Sequence, residues 1–97
     1  MSKESHAEVG SKELSQLQSE LIALSNALKD CYEFVENNIQ ALNEEWRDAK
    51  FDEFENSFRS RKDQIMELSE KYYTWATQYL QQRIEDVLEI ENSKTSL

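Results

Sequence analysis

The chain has 97 residues, with one Gly, no Pro, one Cys and a formal net charge of −9 from 20 acidic and 11 basic side chains. That length holds one small domain with little interior, and the acidic balance repels phosphate backbones and so excludes generic nucleic-acid binding. A single cysteine, Cys31, excludes an internal disulfide, and the scarcity of helix breakers points to an all-α chain.

The first twelve residues, "MSKESHAEVGSK", are polar and contain no apolar core of a cleavable signal. The longest apolar run, "LIAL", is far short of the roughly 20 residues that span a bilayer. The expected protein is made in the cytoplasm, with no membrane insertion, and any export follows a route that reads no cleavable signal peptide. His6 has no second metal ligand nearby. Helix one is expected to begin at Ser11 after Gly10, with Ser5 and Glu8 forming a competing capping box.

From Leu14 the apolar side chains recur at steps of three and four: Leu14, Leu17, Leu21, Leu24, Leu28, Cys31, Val35, then Asn38 and Leu42. This is the 3.5-residue period of a coiled-coil seam. A second ladder follows: Phe51, Phe54, Phe58, Arg61, Ile65, Leu68, Tyr72, Trp75, Tyr79. It starts two residues out of phase with the first, which at ~100° per residue would put the two stripes on opposite sides of a continuous helix. A turn between them lets the stripes face each other, with sites such as Leu24 and Leu68 in close approach. The predicted fold is all-α, an antiparallel two-helix hairpin in one domain. Helix one covers about 11–44, the turn about 45–48, helix two about 49–92, and 93–97 form a loose tail.

Asp48 is suited to cap helix two, its carboxylate accepting from backbone N–H groups at residues 50 or 51. Asp52 and Glu53 then meet the positive end of the helix dipole. The acidic residues around the turn read as a solvated cap, since a thin hairpin offers no cleft for acid–base work. Glu55 and Arg59 are placed for intrahelical pairing. Asn38 and Arg61, polar at seam positions, read equally as register or partner determinants and as solvated positions.

One hairpin seam leaves apolar surface over. Met66, Tyr73, Ala76, Leu80, Ile84 and Val87 form a further stripe beside the second ladder. Of these, Met66, Tyr73, Leu80, Ile84 and Val87 are the expected partner interface, through which two hairpins form a four-helix bundle. Tyr72, Trp75 and Tyr79 read as core or interface residues, and Cys31 as a small apolar packing residue.

The central segment "WRDAKFDEFENSF", with Trp46, Phe51, Phe54, Glu55 and Phe58, resembles the central motif of the WXG superfamily. Those are small helical hairpins exported by the type VII (ESX-type) secretion machinery of Gram-positive bacteria and mycobacteria. The likeness covers length, helix–turn–helix plan and acidic balance, and at residue level about 42–58. Asp48 stands where the motif has Gly. None of the C-terminal tyrosines Tyr72, Tyr73 and Tyr79 is followed four residues later by Asp or Glu, a C-terminal pattern common in exported members. The resemblance implies a turn motif of Trp46, Asp48, Phe51, Phe54 and Phe58, with Trp46 either part of a recognition surface or closing the seam. It also implies a non-enzymatic protein of a specialised secretion system, a secreted partner or a targeting adaptor for a larger effector, acting through a homodimer or a related hairpin protein and needing no cofactor. The alternative is a cytoplasmic coiled-coil scaffold with no export role. No Ser-His-Asp set, metal constellation or phosphate-cradling loop argues for an enzyme.

Overall fold

The computed structural model describes residues 9–46 and 48–95. His6 and the Ser5–Glu8 capping box lie outside them. The described residues are helical, without strands: α1 (Ser11–Asn43), α2 (Ala49–Arg59), α3 (Lys62–Thr74), a π-helical segment (Trp75–Leu80) and α4 (Gln81–Thr95). Among the described residues, no helix is long and apolar enough to cross a membrane. The expected single second helix is thus interrupted at Ser60–Arg61 and rewound at Trp75–Leu80. The helix also continues past the expected fraying point to Thr95.

The chain divides into two compact units, Leu24–Lys71 and the pair of segments Met1–Ala23 and Tyr72–Leu97. Within the first, Ser25 and Ser69 exchange hydrogen bonds, each hydroxyl donating to the other's carbonyl at 2.8 and 2.7 Å. Further along, the Tyr32 hydroxyl donates to the Phe58 carbonyl at 2.7 Å. Arg59 and Lys62 reach Glu36 at 3.2 and 3.4 Å. These contacts pair ascending residue numbers with descending ones, so the two segments of this unit run antiparallel.

In the other unit the Ser11 hydroxyl donates to the Glu91 carboxylate at 2.8 Å, and the Gln18 amide donates to the Ala76 carbonyl and to Gln81, each at 2.9 Å. Here too the pairing is antiparallel. Its core contains Ala76, Leu80 and Ile84, at 0, 6 and 5% exposure. The π segment explains the spacing of those three residues. A wider turn brings every fourth residue back to one face, where an α-helix would alternate threes and fours.

The predicted ladder of α1 is covered only in part, Leu14, Leu21 and Leu28 being half-buried. Ser11, Gln18, Ser25, Tyr32 and Ile39 recur every seven residues and point inward, Ser25, Tyr32 and Ile39 being buried. Leu17, Leu24, Val35 and Leu42 are exposed, as is Cys31. The reason is close approach: two serines across a seam let the backbones come near enough for hydroxyl-to-carbonyl bonds, which leucines would prevent. Leu24 and Leu68, expected in close approach, flank the Ser25–Ser69 contact, and both side chains are exposed. On the return segment the second ladder splits. Phe51 is buried and Phe58, Ile65 and Tyr72 half-buried, while Phe54, Leu68, Trp75 and Tyr79 are exposed.

Candidate functional site

The turn is organised by Asp48. Its backbone is extended, φ −134° and ψ 169°, so this position requires no left-handed conformation. One carboxylate oxygen accepts from the Phe51 N–H and the other from the Trp46 indole N–H, both at 2.7 Å. The Phe51 backbone bond, then the Trp46 bond, hold the Asp48 carboxyl below its ordinary pKa. Capping and indole orientation are thus performed by one side chain.

From the turn an aromatic series runs into the Leu24–Lys71 unit. Trp46 stacks on Phe51 at 5.3 Å, Phe51 meets Phe54 at 6.3 Å, Phe54 meets Phe58 at 6.2 Å, and Phe58 stacks on Tyr32 at 4.4 Å. Burial, followed by the Glu36 charge, raises the Tyr32 phenol above its ordinary pKa. Trp46 and Phe54 nevertheless remain about half exposed, at 53 and 51%. They border a groove of about 340 Å³ with Leu42, Lys50 and Phe51.

A second groove, about 390 Å³, is lined by Leu24, Ala27, Leu28, Cys31, Tyr32, Val35 and Ile65. Val35 and Leu42 are two turns apart on α1, so the two grooves follow one stripe of that helix. The charged residues of 24–43 are Lys29, Asp30, Glu33 and Glu36, which at ~100° per residue all fall within one ~120° sector. The rest of the helix circumference carries no charge. Only part of that uncharged arc is covered by the chain's own seam.

The expected partner interface is not one surface. Leu80 and Ile84 are buried within the chain, and this corrects their assignment to an intermolecular face: the π segment turns them inward. Met66 and Val87 are half-buried and Tyr73 is exposed. Cys31, expected to pack, instead lies open in the second groove. Asn38 and Arg61 are exposed. Sequence reasoning passed over Gln18, Ser25 and Ser69. The seven-residue repeat of Ser11, Gln18 and Ser25 was the available signal, hidden because its members are polar.

Among the described residues no cluster of three or more His, Cys, Asp or Glu is placed to hold a metal ion. What the arrangement can do chemically is bury apolar surface. Among the described residues, six hydrophobic side chains are buried and fourteen large ones exposed, and continuous exposed apolar surface marks an interaction site. No known family, no curated protein and no solved structure matches this chain.

Proposed function

We propose that the protein is a WXG-like, non-enzymatic helical hairpin that associates with a second hairpin into a four-helix bundle. In this reading it serves a specialised bacterial secretion system, as a secreted partner or as an adaptor for a larger effector. One observation carries the association: the uncharged, exposed arc of α1 from Leu24 to Leu42, continuous with the aromatic turn. In a bundle of two hairpins each helix must present an apolar stripe to the other pair. The exposed ladder residues supply such a stripe, and they replace the Met66–Val87 face as the association surface. Support for the secretion role comes from the Trp46 motif and its resemblance to the WXG pattern.

Deleting the gene in its host and comparing the proteins of the culture medium tests the role. Loss from the medium of this chain, or of a larger effector, is expected, together with the same loss when the secretion ATPase is deleted. An unchanged medium, with this chain retained in cellular complexes, would favour the coiled-coil scaffold.

A further inference from the structure

The π segment (Trp75–Leu80) lies where two stripes of the chain overlap. Tyr72, Trp75 and Tyr79 form one, and Tyr73, Ala76, Leu80 and Ile84 form the other, one residue later. Tyr72 and Ile84 are twelve residues apart, which plain α winding would turn to faces ~120° different. Tyr73 and Ile84, eleven apart, would differ by only ~20°. A π turn takes up one additional residue without advancing the face, and so brings Tyr72 into line with Ile84 in place of Tyr73. The observed burial follows that winding. Tyr72 is half-buried on the side of buried Ala76, Leu80 and Ile84, whereas Tyr73 is 49% exposed.

A π turn seldom persists without outside support, and here side chains serve its carbonyls. The Gln18 amide of α1 donates to the Ala76 carbonyl and to the Gln81 side chain, each at 2.9 Å. The Thr77 hydroxyl donates to the Tyr73 carbonyl at 2.9 Å, and the Gln81 N–H turns back to the Gln78 carbonyl. Thr77 can make its bond in an ordinary α-helix as well. Plain α winding, however, gives the Ala76 carbonyl an amide of its own, that of Leu80. The Gln18 bond therefore favours the π form.

We infer that residues 72–84 form a one-residue register switch with two windings. In the π form Tyr72 is covered, in the α form Tyr73 is covered in its place, and the Gln18 amide selects the π form. The exchange leaves the core otherwise intact. Ala76, Leu80 and Ile84 keep to one stripe in either winding, and a tyrosine fills the next position. What changes is the outer face: the α form withdraws Tyr73 and offers Tyr72. A ligand that prefers one of the two faces would draw the population toward it.

Nitration of the full-length chain with tetranitromethane, mapped by mass spectrometry, reads the winding, with exposed Tyr79 as internal reference. Wild type should nitrate Tyr73 roughly fivefold faster than Tyr72, since reagent access follows local opening. Gln18→Met keeps the length of the side chain and removes the donor. It should bring the two rates to parity or reverse them, while the circular dichroism spectrum stays helical. Deleting Gln78 takes out the additional residue, so Tyr72 lines up with Ile84 under plain α winding. In that background the wild-type ratio should persist, and Gln18→Met should no longer alter it. An effect of equal size in both backgrounds would make Gln18 an ordinary packing residue and overturn the inference. So would a full-length Gln18→Met ratio equal to wild type, a rise in the reactivity of both tyrosines together, or a Gln78-deleted chain that cannot fold.

Discussion

The contacts of Asp48, Ser25 and Tyr32 can each be tested by a single substitution. Asp48→Ala removes both the cap of α2 and the bond that aims the Trp46 indole, so the denaturant midpoint should fall and Trp46 fluorescence should change. Asp48→Asn keeps an acceptor oxygen but cannot ionise. Because the folded-state pKa of Asp48 is depressed, its contribution is present above the ordinary value of 3.8 and lost as pH falls through the lower folded value. The stability advantage of wild type over Asp48→Asn should therefore shrink below about pH 4, as denaturant melts across pH would record. Ser25→Ala should cost about 0.5–1.5 kcal/mol for a lost buried hydrogen bond. Ser25→Leu should cost about 1–3 kcal/mol by forcing the backbones apart. A stabilised Ser25→Leu protein would mean the seam has room for leucine. Tyr32→Phe should show the opposite pH signature to Asp48: its phenol is raised, so wild type loses stability relative to Phe only as pH climbs past 10.0.

At the scale of elements, the π segment decides which side chains α4 and its approach bury. It turns Ala76, Leu80 and Ile84 inward and leaves Trp75 and Tyr79 each 57% exposed. Gln18 ties α1 to this segment through the Ala76 carbonyl. Gln18→Leu removes that donor, and hydrogen exchange of amides 75–81 should quicken relative to those of α2. Leu80→Ala should destabilise the fold by about 2–5 kcal/mol, as for any large-to-small change in a core. If Leu80 served only an intermolecular surface, the monomer would unfold at the wild-type denaturant concentration. The break at Ser60–Arg61 is the second such device. The Ser60 N–H bonds back to Asn56, and the Arg61 N–H to Phe58, closing α2 before α3 begins.

For the whole molecule, stability and association draw on different residues. Leu24→Asp with Val35→Asp places charge on a stripe that is 46 and 39% exposed, so folding should change by no more than about 0.5 kcal/mol per site. Association should be abolished, because each new carboxylate would have to be desolvated inside an apolar interface. Sedimentation with a partner present, beside urea melts of the chain alone, separates the two effects. A double variant that still associates would place the contact elsewhere on the surface.

Helicity, the turn near Asp48 and the aromatic motif after it are all legible in the amino-acid sequence. They depend on local terms: propensity, the absence of Pro, the 3.5-residue period, and a carboxylate three residues ahead of the amide it caps. Which face each helix buries was not legible. A ladder of leucines reads as a seam because apolar residues seek burial, but that rule does not say whether the chain itself or a partner covers them. Here tertiary contact is made by Ser25, Ser69, Gln18 and Ala76, small or hydrogen-bonding residues that permit close backbone approach. The apolar ladders of α1 and α3 are covered only in part, and Leu24 and Leu68 remain open. The π segment likewise has no local sequence mark. Its effect, turning Leu80 and Ile84 into the core, arises only once α1 lies alongside to receive them.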